Sequence, residues 1–425
     1  MMDERIKGFK IPEDQRQSWI SLAAVWIGTM VCVPCLMIGG YLSMGFSISG
    51  ILVSCIIGYG IICAYMCFMG MQGCDTGVPT VVMAGNALGE IGARFLISLL
   101  LAVACIGWFG VQASVCGSSF SSMVATATGI VIPNVASSIF WGIVMLLTAM
   151  FGYNAVKYLN YVAVPALILV LIYALYAALI RDNGIPVVLA YRPTQPMTLV
   201  AGINMAVATF AVGGVISGDF SRYAKNRKDV VKSSIIGVLP SGLIVILIGA
   251  ACSIAAGEYD ITKILTGLGL PAFGLIALIL ATWTTNVTNA YSGGIAVSKV
   301  LGFGEDRFKI TTGIAGVIGT VLGAVGIIDR FTTFLSIITS FIPPVAGVVI
   351  AAYWIVGKGK KENFTIVPGI NWAGMIAFVL GAAGAFITAN VIPFFVAPIN
   401  GIVISIIVYV LLIRVIPVKT SGDAS

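Results

Sequence analysis

Residues 26–40 read WIGTMVCVPCLMIGG, an apolar stretch with Gly28 near its start and Pro34 near its centre. It lies inside a run, 17–74, that holds no Asp, Glu, Lys or Arg. About 20 mostly apolar residues cross the hydrocarbon as a helix, so this run predicts two spans with a turn at 41–50. Eight more charge-free runs follow: 95–156, 158–180, 193–218, 233–257, 264–298, 310–328, 331–357 and 363–413. The second and the last are again long enough for two spans, with turns at 128–134 and 390–398. The pattern predicts twelve transmembrane helices, because the runs lack the alternation of a closed barrel. Proline removes a helix hydrogen bond and paired glycines weaken a helix. The first span therefore breaks around 31–34, and the sixth around Gly213-Gly214. Two interrupted spans five apart suit a 5+5 inverted repeat followed by two extra helices, and such interruptions point to a transporter site. Kinks are also ordinary in membrane helices. Residues 341–346, FIPPVA, bend the tenth span, as a moving gate or a static kink.

Composition excludes a water-soluble enzyme. Of 425 residues, 59% are hydrophobic and 9% charged, and the mean hydropathy is +1.07, where soluble domains carry about a quarter charged residues. The net charge of +7 is spread too thinly to suggest nucleic acid. There is no histidine for a relay, triad or metal site. The nine cysteines read as small buried hydrophobes, not as a disulfide framework or metal site. With the N-terminus inside, nineteen of the 23 basic residues fall on the cytoplasmic side. The four outside are Arg181, Arg192, Lys263 and Arg330. The expected location is the cell (inner) membrane, with both termini cytoplasmic. The first segment carries too much charge for a typical cleavable signal. The expected organisation is a tail at 1–19, a ten-helix transport core at 20–357, two additional helices at 358–415 and a tail at 416–425.

No charged group sits in the middle of any span, which argues for a neutral substrate and against a carboxylate proton relay. Cys105, Trp108 and Gln112 lie at i, i+3 and i+7, on one face of the third span. Trp108 is about 20 Å along the helix from Arg94, far from the interfaces that tryptophan prefers. It is a candidate platform for a flat ligand, or simply a packing residue. The eighth span carries TWTTNVTN at 282–289. Hydroxyls of Thr284 and Thr285, with carbonyls freed in the first span, could hold a small hard cation; back-bonding to the preceding turn is the alternative.

Gly107-Trp108-Phe109-Gly110, VISGDFSRYAK at 215–225, Trp283-Thr284-Thr285-Asn286 and FIPPVA at 341–346 resemble the nucleobase–cation symport family. Within it the chain is most similar to the bacterial cytosine permeases. The resemblance covers nearly the whole chain. It implies a 5+5 inverted-repeat fold of the leucine-transporter type with helices one and six broken, two extra helices, and sodium-coupled uptake of a flat heterocycle. Carried over by position, it implies stacking on Trp108 and Phe210, polar contacts from Thr209 and the backbone at Gly213, and a hydrogen bond from Asn286. It likewise implies a sodium ion held by the carbonyls of Gly28, Val31 and Ala281 and the hydroxyls of Thr284 and Thr285. Cytosine permeases have glutamine where this chain has Cys105, and Gln112 stands one turn on, as in hydantoin- and purine-type members. A thiol does not reproduce an amide's paired donor and acceptor, so cytosine, purines, hydroxymethylpyrimidine, uracil and hydantoins stay open. No cofactor beyond the transported sodium and no obligate protein partner is expected. A proton-coupled carrier or an amino-acid carrier of the same fold is the alternative. A channel or membrane enzyme fits less well, lacking a repeated filter or acid–base groups.

Overall fold

A computed structural model describes residues 11–151, 153–269, 273–303 and 307–416. Among them the chain is helical, with no strand and one isolated backbone bridge, Gln17 to Ala224. Arg5, Lys7, Lys10 and Lys419, counted above as cytoplasmic charges, lie outside the described residues.

The helices follow the charge-free runs. The first run gives Trp19–Met30 (α1), Val33–Ser43 (α2) and Ile48–Thr76 (α3). Ser47 Oγ accepts from the Gly50 N–H at the start of α3 (3.4 Å), and Gly77 ends it in left-handed backbone (φ 72°). Glu90–Thr128 (α4), Asn134–Phe151 (α5) and Tyr153–Tyr176 (α6) follow, then Leu199–Val215 (α7), Ser217–Ser221 (α8) and Arg227–Ala256 (α9). The last are Phe273–Leu301 (α10), Phe308–Ala324 (α11), Phe331–Phe341 (α12), Pro343–Ile350 (α13), Trp372–Asn390 (α14) and Ala397–Leu412 (α15). All three turns read inside the long runs fall between helices. By length and composition five helices among the described residues are able to cross a membrane, or seven if each bent pair is one span.

α1 and α2 meet at a bend of 57°. Pro34, in the first turn of α2, has no N–H to donate, and Cys32 is extended (φ −142°, ψ 158°). The Cys32 N–H donates to Met30 O (2.9 Å) and not to Gly28 O, which loses its usual partner. In α7 the residue that leaves helical geometry is Phe210 (φ −135°, ψ 19°), not a glycine. Gly213 and Gly214 give room to aromatic rings. A Cβ on Gly213 would sit 2.3 Å from Phe210 Cζ, and one on Gly214 would sit 2.4 Å from the Tyr65 ring. α12 and α13 break at Ile342 but run on as one apolar segment, Ile327–Val356.

Two groups of helices emerge. α1, α2 and α3 pack on α9, with α7 and α8 against α3; α4, α5, α10 and α11 pack on one another. Between α2 and α9 the backbones nearly touch, since a Cβ on Gly39 would lie 2.2 Å from Ile246 O and one on Gly249 2.3 Å from Leu36 O. Small residues allow such approach, and dispersion between close backbones replaces the hydrophobic drive that lipid does not supply. Gly28 is different: no atom lies within 4 Å of an added Cβ there.

Candidate functional site

A cavity of about 1020 Å³ lies between the two groups. One wall comes from α1, α2, α7 and α8, and the other from α4 and α10. Its mouth is charged, with Glu90, Arg94, Asp219, Arg222 and Lys299. Its deep end holds Cys105, Trp108, Gln112, Thr209, Phe210, Gly213 and Thr285. Beyond that end rings close the bundle. Trp108 meets Phe334 edge-on (centroids 5.2 Å, 85°) and Phe331 (6.0 Å), and Tyr41 meets Phe331 (5.2 Å) and Tyr259 (6.0 Å). Tyr259 sits in a loop fixed by Glu258, whose carboxylate accepts from the N–H groups of Asp260 (3.1 Å) and Tyr259 (2.9 Å) and pairs with Lys263 (3.3 Å). The N–H groups foremost, then Lys263, hold that carboxyl below its ordinary range. The cavity is thus open at the charged end and shut at the aromatic end.

Six of the seven substrate residues read from sequence line this one space. Trp108 is half-buried and enters from α4, and Phe210 enters from α7 on the opposite wall. The kink turns Phe210 so that its ring lies along its own helix over Gly213, edge-on to Trp26 (5.8 Å). Thr209 Oγ1 donates to Ala206 O (2.7 Å) and bonds the Tyr59 hydroxyl (3.1 Å), so a buried phenol holds its rotamer. Gln112 is 1% exposed, lines the cavity, and neither Nε2 nor Oε1 has a partner. Buried amides are nearly always paired. An unpaired one beside a cavity is a candidate ligand contact, although here the amide is covered rather than open to the cavity.

Asn286 is the exception. It lies off the cavity, fully buried, and its Nδ2 donates to Phe109 O (3.0 Å) and lies 3.2 Å from Met145 Sδ. The amide that α10 presents to the cavity is Asn289, whose Nδ2 donates to Asn286 Oδ1 (3.4 Å). Thr285, Thr288, Asn289 and Ser292 form the lining stripe, spaced i, i+3, i+4 and i+7. That spacing, started from Thr285, is the signal that would have selected Asn289. The structure gives the two amides separate jobs. Asn286→Ala should cost about 1–3 kcal/mol of stability by removing a buried side-chain hydrogen bond and leaving a void between α10 and α4, read as a lower melting temperature. Asn289→Ala should leave melting nearly unchanged and weaken ligand binding. Equal melting losses in both variants would erase the distinction.

Gly213 supports a second test. Gly213→Ala forces the Phe210 ring off its own helix and into the cavity, an overpacking that costs roughly 1–3 kcal/mol. Ligand affinity should fall, and a compensating Phe210→Leu should restore part of it. No loss of affinity in the alanine variant would mean that the ring position is irrelevant.

The cation residues divide between two places. Thr284 Oγ1 and Thr285 Oγ1 both donate to Ala281 O at 3.0 Å, so three oxygens gather at one point of α10. Gly28 and Val31 lie at the end of α1, and α2, beyond the break, packs on α10. Among the described residues no cluster of His, Cys, Asp or Glu suits a metal.

The cysteines need one correction. Seven are buried, but Cys32 and Cys105 are half-buried and line the cavity. Cys32 and Cys35 have C-x-x-C spacing, with the sulfurs 3.5 Å apart.

Residues 10–408 match the family model described as permease for cytosine/purines, uracil, thiamine, allantoin. The chain is 29% identical to the cytosine permease of Escherichia coli (strain K12) over 415 residues, covering 97% of this chain and 95% of that one. It is 23% identical to the hydantoin permease of Microbacterium maritypicum over 404 residues, covering 87% and 81%. Among solved structures it resembles Mhp1 in an inward facing conformation, with 19% identity, a TM-score of 0.83 and coverage of 97% and 95%. It also resembles Mhp1, described as a nucleobase-cation-symport-1 family transporter, in a closed conformation with bromovinylhydantoin bound (20% identity, TM-score 0.77, coverage 95% and 94%). These relatives are permeases and not enzymes, and they share this helical architecture. The chain belongs to the cytosine, purine, uracil, thiamine and allantoin permease family, the nucleobase–cation symport family.

Proposed function

We propose that this permease is a secondary symporter that imports a neutral planar nucleobase or related heterocycle by alternating access, coupled to sodium. The observation that carries the reading is Gln112, a buried amide with both polar atoms unpaired, one turn from a half-buried Trp108 on a cavity wall. A flat ring with a paired donor and acceptor on its edge satisfies both: its face stacks on Trp108 and Phe210, and its edge bonds Gln112. Thr209, the backbone at Gly213, Asn289 and Cys105 complete the lining, with Asn286 behind Asn289. The substrate class stays at pyrimidines, purines and hydantoins, since Cys105 does not supply a second amide.

The two bent pairs (Trp19–Met30 with Val33–Ser43, and Pro165–Arg181 with Gly184–Ala190 at 88°) and the five long helices, with the four shorter apolar helices and Phe273–Leu301, supply the twelve spans of this reading. The core is 20–357 with the inverted repeat, and 358–415 adds the last two spans. The charged mouth is then the cytoplasmic end, so the cavity is open inward. The termini lie in the cytoplasm of a cell whose inner membrane holds the chain. The cation sits between the end of α1 and the Ala281, Thr284 and Thr285 oxygens. The hydroxyls' present bonds to Ala281 O favour, as the second reading, a carrier driven by protons instead.

A melting-temperature screen of purified protein against pyrimidines, purines and hydantoins, with and without sodium, tests the class. A ligand that stabilises more strongly in sodium, and that proteoliposomes accumulate down a sodium gradient, supports the symporter. Stabilisation by zwitterionic amino acids alone would overturn it.

A further inference from the structure

Cys32-Val33-Pro34-Cys35 occupies the break between α1 and α2. Cys32 is the N-cap residue of α2, and Pro34 stands in the first turn of that eleven-residue helix. Cys35 follows one turn later, 2% exposed, with its sulfur 3.5 Å from that of Cys32. A disulfide requires about 2.05 Å between sulfurs, a gap that side-chain rotation closes. Two thiols at C-x-x-C spacing and this separation can exchange with a disulfide once one of them is reached by it. Access is the second requirement. Cys32 is half-buried and lines the cavity, whereas Cys35 is buried and does not line it. Cys105, the other cavity cysteine, lies on α4 in the opposite helix group.

The geometry points to a dithiol site in the transport cavity, at which Cys32 and Cys35 form a reversible disulfide with a small disulfide oxidant and thereby arrest transport. The Cys32 thiolate attacks one sulfur of R–S–S–R and expels RS⁻, leaving a mixed disulfide. The deprotonated sulfur of Cys35 then attacks the Cys32 sulfur, closes the intramolecular bond and expels the second RS⁻. The two protons from the cysteines end on the two thiols released. Two electrons pass from the cysteine pair to the oxidant, and excess thiol reverses every step. The new bond ties the one extended residue between α1 and α2 to the first turn of α2. Hinge residues act by absorbing backbone rotation, so fixing this one stops α1 from swinging relative to α2. The chemistry stands on the geometry alone; the arrest rests on the alternating-access reading.

The test uses 2-hydroxyethyl disulfide, a neutral oxidant small enough for the cavity, on the full-length protein in detergent and in proteoliposomes. Intact mass should fall by two hydrogens with no retained adduct, and peptide mapping should place the bond between Cys32 and Cys35. Cys35→Ser should instead trap the mixed disulfide at Cys32, and Cys32→Ser should give neither product. Uptake by wild type should drop to a minor fraction on oxidation and return on reduction, while Cys32→Ser should keep its own untreated rate. An adduct at Cys105 in place of the bond, or a folded protein that stays unreacted where denatured protein reacts, overturns the site. A disulfide that forms without slowing uptake overturns the arrest. If no ring substrate is taken up at all, the symporter reading fails, and the mass result still decides the dithiol.

Discussion

In Gln112→Leu, affinity for the ring substrate falls about 5- to 150-fold, while the unliganded protein melts no lower than wild type. The two halves have one cause. Gln112 makes no hydrogen bond within the protein although it is 1% exposed, so removing its amide deletes two unsatisfied buried polar atoms and breaks nothing. Leucine fills a similar volume with no polar atoms. An unsatisfied buried group costs about 1–3 kcal/mol, and its removal leaves stability equal or higher. With ligand bound the balance reverses. Two neutral hydrogen bonds contribute about 0.5–1.5 kcal/mol each, or roughly 1–3 kcal/mol together, and every 1.4 kcal/mol is tenfold in affinity. A ring edge that loses its partner in a closed site also pays desolvation, so the loss lies toward the upper end. Melting curves with and without ligand measure both quantities on one sample. A variant that melts lower yet keeps its ligand shift would make Gln112 a structural residue and remove the main support for a base-reading edge.

What the sequence makes legible here divides along a physical line. Proline and charge act locally. Pro34 bends the chain wherever the helix around it packs, and the spacing of Asp, Glu, Lys and Arg sets where spans end. Trp108 and Gln112 share a face because they are one turn apart on a single helix, and that needs no knowledge of the partner. Asn286 and Asn289 differ by less than one turn, and which faces the cavity depends on how α10 rolls against α4 and α5. Phe109 O and Met145, far away in sequence, take Asn286. The glycines of α7 show a subtler case. The pair marks the right place but not for the expected reason, since the kink falls at Phe210 while Gly213 and Gly214 accommodate the rings of Phe210 and Tyr65. Gly28 stands in open space, because whether a bare backbone meets a neighbour or a cavity is a tertiary fact. The C-x-x-C at the break is visible in sequence, but a long apolar run hides it, because buried cysteines are common there.

Replacing Thr284 and Thr285 together by valine abolishes the sodium response while leaving a folded carrier that still equilibrates substrate. Both hydroxyls donate to Ala281 O at 3.0 Å, so their protons point at the oxygen that would share the ion. At the proposed site, a bound sodium ion would turn both protons away and meet two hydroxyl lone pairs and one carbonyl. In the proposed site the opposite side would come from the end of α1, where the Cys32 N–H has left Gly28 O for Met30 O. Carbonyls at such a break are the usual cation ligands of interrupted spans. Valine preserves shape, and the helix loses only two local back-bonds, so melting should change little. Transport changes greatly. One charge moving down about 100 mV supplies about 2.3 kcal/mol, enough for roughly 50-fold accumulation of a neutral substrate, and without the ion the ratio falls toward one. Binding of ion and substrate strengthen one another by equal factors, so the double variant should also lose the gain in substrate affinity that sodium confers. Substrate affinity without sodium should stay near the wild-type value. Steady-state accumulation in proteoliposomes under an imposed potential, paired with binding in sodium and in choline, separates the outcomes. A double variant that still concentrates substrate with an undiminished sodium response places the ion elsewhere. One that concentrates it only under a proton gradient makes this a proton-driven carrier.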